Sequence, residues 1–147
     1  MNFDRLLPQI LDLAALDKKA LDAVAMATAK LSFYDWLVVS CAGSNEPLAN
    51  ILRDFIASEG GAAIATVTGE TKKYPARAAA LVNGAISHAL DYDDTHFAYV
   101  GHPSVAIFPA ALAAAEEVGA SAGDVCQAFL LGAEASCRIG MVLGRRH

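Results

Sequence analysis

Pro75-Ala-Arg-Ala-Ala-Ala-Leu-Val-Asn-Gly-Ala-Ile-Ser-His-Ala89 runs straight into Leu90-Asp-Tyr-Asp-Asp-Thr-His96, and the change of character between the two decides the fold. The first part predicts an alanine-rich helix opened by a proline, whose missing N–H costs little in a first turn. Gly84 in its middle leaves room for a neighbouring backbone. From Asp91 to His96 every residue is polar or ionisable, and the stretch to Gly101 has no helical period, so the helix gives way to a loop. Helix resumes at Pro103 and runs to Val118, with His102 at or beside its N-cap.

The same punctuation recurs on either side. A short helix is expected over Phe3 to Leu13. A long one, N-capped by Asp17, passes through Ala20, Val24, Ala27, Leu31 and Leu37 towards Gly43, with room for a bend at Ser32-Phe33. After the turn Gly43-Ser44-Asn45, Pro47 sits just inside a third helix. That helix carries Leu48, Ile51, Leu52 and Phe55 on one face and ends at Gly60-Gly61. Ala63 to Thr68 is the one strand-like stretch, and Glu70 to Tyr74 reads as a polar loop. Ser121 with Asp124 three residues on makes a capping box for a last helix running towards Leu143. The expected class is all-α: a multi-helix, bundle-like domain with at most one short strand.

Composition adds a constraint. Hydrophobic residues make up 55% of the 147 and charged residues 18%, against about 25% charged in an ordinary soluble domain. Part of this surface is therefore expected to be covered, by more chain, a second subunit or both. A membrane is the weaker account. A spanning helix needs roughly 20 nearly uncharged residues, and the best run, Val105 to Ala115, is shorter and contains Pro109. Asp4, Arg5 and Pro8 do not make a signal peptide, so the expected compartment is cytoplasmic. Cys41, Cys126 and Cys137 lie in apolar helical stretches and read as buried thiols. A net charge of -5, with only the pairs Lys72-Lys73 and Arg145-Arg146, speaks against nucleic acid.

Chemistry concentrates between His88 and Ser104. Such a polar cluster is costly to bury unless its members pair or bind something. A solvent-exposed Asp-rich loop and a functional site both fit the composition. Local geometry favours the site. His88 and Asp91, three apart at a helix end, share a face. His102 at the start of the Pro103 helix lies beside free N–H groups and the positive end of the helix dipole, which suit a substrate carboxylate. The same field disfavours a charge on the ring and keeps it able to accept a proton. A neutral imidazole beside an anion site is what proton abstraction next to a carboxylate requires. His88, Asp91, Asp93, Asp94, His96 and His102 are also conceivable metal ligands, but no two lie at a recognised motif spacing, so metal is the weaker reading.

Asn83-Gly84, His88-Ala-Leu-Asp-Tyr-Asp-Asp-Thr-His96 and His102-Pro-Ser104 resemble the signature of the MmgE/PrpD family, which includes 2-methylcitrate dehydratases and cis-aconitate decarboxylases. Ala42-Gly-Ser with Glu46-Pro47, Glu59-Gly-Gly, Ala65-Thr-Val-Thr-Gly69 and Gly132-Ala-Glu-Ala-Ser-Cys-Arg-Ile-Gly140 add to the resemblance, which is weakest over the first thirty or so residues. It implies a helical main domain, a homodimer, and a lyase for small di- or tricarboxylic acids that uses no metal or cofactor. It further implies His102 as the acid/base group, Asp91 orienting the histidine or the substrate, and Thr95 binding a carboxylate or hydroxyl. Asp94, His96 and Ser104 are implied in supporting contacts to substrate, while His88 reads as a structural histidine.

Family chains continue past the point matching Gly144-Arg-Arg-His147 into a second histidine segment, active-site lysines and a lid domain. His147 resembles the first residue of that continuation. The expectation is therefore the N-terminal part of a truncated enzyme, weakly active or inactive alone and needing a second copy or a complementary C-terminal chain. A non-catalytic helical dimerisation or docking module, and an epimerase or hydrolase on an imino-dicarboxylate, stand as alternatives.

Overall fold

The computed structural model describes residues 5–16, 21–98 and 100–144. Among them are six α-helices and one small sheet: α1 (Leu6–Ala14), α2 (Ala23–Gly43), α3 (Pro47–Glu59), β1 (Ala65–Thr66), β2 (Lys73–Tyr74), α4 (Ala76–His88), α5 (Pro103–Val118) and α6 (Ala122–Leu143). The all-α expectation holds, with one addition. Lys73 and Tyr74, read as loop, form a second strand antiparallel to β1, in the register Ala65 opposite Tyr74 and Thr66 opposite Lys73.

Most helix ends follow from their caps. Prolines open α3 and α5, Pro75 stands at the N-cap of α4, and Ser121 and Asp124 form the reciprocal capping box of α6. The start of α2 differs. Asp22, not Asp17, is its N-cap, its carboxylate accepting the N–H of Val24 at 3.1 Å. Asp17 and Ala20 lie outside the described residues, as do Phe3 and the tail Arg145 to His147. From Ala23 the helix is unbroken through Ser32-Phe33. In α3 the buried positions are Ala49 and Ile56, whereas Ile51 and Phe55 of the expected apolar face are more than half exposed. The cysteines also divide: Cys126 is buried, Cys137 half-buried and Cys41 exposed, all as free thiols.

The core has two parts. One gathers Ile56, Val67, Val82, Ile86 and Ala113 between α3, β1, α4 and α5. The other stacks aromatic rings between α2, α5 and α6: Phe108 lies on Phe129 at 4.0 Å and 9°, with Trp36 5.7 Å away. α5 belongs to both, so it is the element around which the rest packs. Pro109 in its interior has no N–H to give the carbonyl of Val105. That carbonyl faces Gly84 of α4, where an added Cβ would stand only 3.0 Å from it. A side chain at 84 would hold the helices apart. α6 is, among the described residues, the helix long and apolar enough by composition to cross a membrane. It packs here on α5, α2 and α1 and carries the ion pair Glu134–Arg138 at 2.8 Å.

Polar side chains tie the small sheet to the helices. Asn83, buried in α4, accepts the N–H of Thr68 at 2.9 Å and donates to the carbonyl of Thr66 at 2.8 Å. Glu116 of α5 accepts the N–H and hydroxyl of Thr66, both at 2.7 Å, and the Lys73 ammonium at 3.1 Å. Burial alone would push the Glu116 carboxyl up, but the Thr66 and Lys73 bonds together outweigh it and hold its pKa below the ordinary value. A depressed folded-state pKa stabilises the fold above the unfolded value and loses that contribution as pH falls through the folded one. Glu116→Gln is therefore expected to cost about 1–2 kcal/mol at neutral pH. In denaturant titrations the gap from the native chain should close as pH drops below the ordinary Glu range; a gap independent of pH would contradict this account.

Candidate active site

α4 ends at His88, and Asp91 then turns the chain in the left-handed region at φ 55, its N–H on the His88 carbonyl at 3.1 Å. Aspartate tolerates this conformation because its short polar side chain can bond locally. The turn carries Asp93 inward until its side chain is 1% exposed. There it meets two imidazoles. His88 Nδ1 lies 2.9 Å from Oδ1, and His102 Nδ1 lies 2.9 Å from Oδ2. The rings stand 4.7 Å apart at 53°.

These contacts set the tautomers. A carboxylate only accepts, so the nitrogen facing it carries the proton, leaving Nε2 of His102 with its lone pair. The two contacts are not equal. His88 makes a hydrogen bond, whereas His102 Nδ1, itself a buried atom, sits at ion-pair distance without a well-aimed bond. The negative charge of Asp93 at that distance favours a proton on the His102 nitrogen that faces it. Asp91 lies on the other side of the ring, with Oδ1 4.0 Å from His102 Nε2 and its side chain 78% exposed. That is beyond hydrogen-bond reach. Asp93 therefore orients the histidine, and Asp91 stands at the open rim where Nε2 faces.

The start of α5 departs from expectation. Pro103 has no N–H, and the next one, of Ser104, is donated to Asp94 Oδ1 at 3.0 Å, while the Ser104 hydroxyl donates to Oδ2 at 2.6 Å. Ser104 is 1% exposed. The chain's own carboxylate thus fills the helix terminus expected to hold a substrate anion. Asp94 and Ser104, expected to contact substrate, bind each other and fasten the loop to α5. The reason is distance: Asp94 returns over the helix start to meet a residue ten positions on, which spacing alone does not reveal.

Thr95 stays exposed on the same loop. His96 turns elsewhere. Its N–H donates to the Gly101 carbonyl at 2.9 Å, its carbonyl accepts from Val100 at 2.8 Å, and its Nδ1 lies 3.3 Å from Cys137 Sγ on α6. Burial, helped by the Glu134 charge, pushes the Cys137 thiol up, so it stays a thiol within hydrogen-bond reach of His96. Val100 holds φ 58, a strained conformation for a β-branched residue that the short ladder between His96 and Gly101 maintains. The structure thus gathers His88, Asp91, Asp93 and His102, whose ligand atoms fall within 4.8 Å of one another. Asp93 was legible only as a conceivable metal ligand. In the run Asp91-Tyr-Asp-Asp94 nothing in the residue types tells the buried carboxylate from the exposed one.

A helical domain that holds two histidines on one buried carboxylate, beside an exposed acidic rim, has the parts of an acid–base site. The family model of the MmgE/PrpD N-terminal domain matches residues 13–147, and the chain belongs to the MmgE/PrpD family. No curated protein and no solved structure gives a significant match.

The bonds between Asp94 and Ser104 make a direct forecast. Asp94→Ala should destabilise the folded chain by about 1–2 kcal/mol, the usual cost of losing a helix cap, as read by chemical denaturation. An unchanged stability would mean that the carboxylate does not hold the helix.

Proposed function

We propose that this chain supplies the acid–base part of a lyase site resembling that of 2-methylcitrate dehydratase, acting on small di- or tricarboxylic acids. The observation that carries this reading is the Asp93 carboxylate against Nδ1 of His102, which leaves Nε2 free beside Asp91 at the rim. Nε2 takes the proton from the carbon next to a substrate carboxylate. The electron pair of that C–H bond forms the double bond as the neighbouring C–O bond breaks, and an opposing acid protonates the departing hydroxide to water. Asp93 stabilises the imidazolium formed. Thr95 bonds a substrate carboxylate or hydroxyl, and Asp91 orients the substrate. The route uses no cofactor.

Substrate carboxylates also need cations. Arg53, Lys73 and Arg138 are engaged by Glu70, Glu116 and Glu134. We assign the cations and the opposing acid to a second copy or a complementary C-terminal chain. An epimerase on an imino-dicarboxylate would use the same proton abstraction with return of the proton to the other face, and would show inversion without an unsaturated product.

The test is turnover of 2-methylcitrate, citrate and cis-aconitate, following unsaturated product in the ultraviolet, with binding of the same acids read from the histidine resonances. His102→Ala should lose roughly 10²–10⁴ in rate. Turnover undiminished in that variant, or the lack of both turnover and binding by the folded chain with its partner present, would overturn the assignment.

Assembly is supported separately. Leu7, Val24, Leu31, Val38, Ile51 and Phe55 are each more than half exposed along α1, α2 and α3, more apolar surface than a lone domain ordinarily presents. A homodimer fits both this surface and the need for a second source of site residues; a purely docking role would use the surface alone. Sedimentation should show a dimer or larger species. A sharply melting monomer would remove this part of the proposal.

A further inference from the structure

We propose that His88, Asp91, Asp93 and His102 form a binding site for a divalent transition cation of the zinc type. The donor set comes first. Two imidazole nitrogens and two carboxylates suit zinc, cobalt or nickel, whereas magnesium and calcium prefer all-oxygen sites. One ligand atom from each of the four residues already falls within 4.8 Å of the others. The two contacts to Asp93, both 2.9 Å, are close to the span of a right-angled N–metal–O bite with bonds of about 2.1 Å. Asp91 is the outermost of the four, its carboxylate oxygen within 4.8 Å of the other ligand atoms. It is a turn residue whose side chain is 78% exposed and free to turn towards an ion.

Two further observations point the same way. Asp93 is buried, and among the described residues its ion-pair partners are the two histidines, so with neutral rings its charge has no cation beside it. His102 Nδ1 is a buried polar atom with no well-directed hydrogen bond. A cation between these atoms would satisfy both. Entry is open, since His88 is half exposed and Asp91 lies at the surface. The four residues fall on one continuous stretch, 88–102, with its two ends held by α4 and α5 where those helices touch, so the site is largely preformed.

An ion on Nδ1 of His102 takes that nitrogen's lone pair, which leaves the ring proton on Nε2, the atom assigned above as the base. On that reading, on which the consequence rests but the binding does not, zinc is an inhibitor of the proton transfer rather than its cofactor. The experiment is a titration of the whole chain with Co²⁺ alone, following the visible d–d bands, and then displacement by Zn²⁺. One equivalent should bind. His88→Ala and Asp91→Asn, both at exposed positions and both checked for folding by circular dichroism, should each weaken binding at least about 10-fold, the loss expected even for a supporting residue of a metal site. Absence of bands, or affinity unchanged in both variants, would overturn the proposal. So would a sulfur-to-cobalt charge-transfer band that survives in His88→Ala, which would put the ion on Cys137 and His96. Inhibition of turnover by Zn²⁺ is read apart from this titration, so failure of the lyase reading and failure of the metal site are distinguishable.

Discussion

The carbonyl of Val105 has no N–H to receive, because the residue four places on is Pro109, and α4 comes against it at Gly84. The proline frees the carbonyl, and the glycine lets another backbone reach it. Gly84 lies about one turn before His88, and Val105 about one turn after the His102 N-cap. Closing the helices at this point therefore fixes the distance between the two histidines, and the rings end 4.7 Å apart. A similar approach recurs at Gly43, where an added Cβ would collide with the carbonyl of Ile86 and part α2 from α4. Small residues are thus used where backbones must touch, and the large aromatics where α2, α5 and α6 leave volume to fill.

The loop between α4 and α5 has to cross this junction while carrying three aspartates. Each meets a different fate. Asp91 faces water in a left-handed turn, Asp93 is enclosed between two imidazoles, and Asp94 caps α5 through Ser104. A buried carboxylate without partners would be strongly unfavourable; the His88 hydrogen bond and the His102 ring at 2.9 Å offset part of its desolvation. Left-handed residues bracket the loop, at Asp91 and Val100. Such strain persists only where the surroundings over-determine the conformation, and here the Asp94 cap and the ladder between His96 and Gly101 do so. The surroundings of the His102 ring depend on a neighbour whose position is set by these bonds rather than by its own helix.

Much of the fold was legible because its signals are local. Proline at helix starts, glycine after α3 and the Ser121–Asp124 box act within one turn of chain, and they placed α3, α4, α5 and α6 within a residue or so. Where two local signals compete, the reading slipped. Asp17 and Asp22 are both good N-caps, and α2 uses Asp22. β2 carries no alternation of its own and exists because β1 and Glu116 give Thr66 and Lys73 partners. The apolar face of α3 was visible as a pattern, but which part of it packs inward depends on where α4 lies.

Sequence by itself determined the helical class, the family, and the short polar stretch that holds the candidate site, since all three are encoded in residue types at fixed local spacing. The tertiary structure alone decided what each polar residue of that stretch does. It put Asp93 rather than Asp91 on the inner nitrogen of His102, used Asp94 and Ser104 on each other, and sent His96 to Cys137 on α6. Neighbouring carboxylates look alike in one dimension. They differ only in burial and in the donors that face them, and both are set by two helices meeting at a glycine.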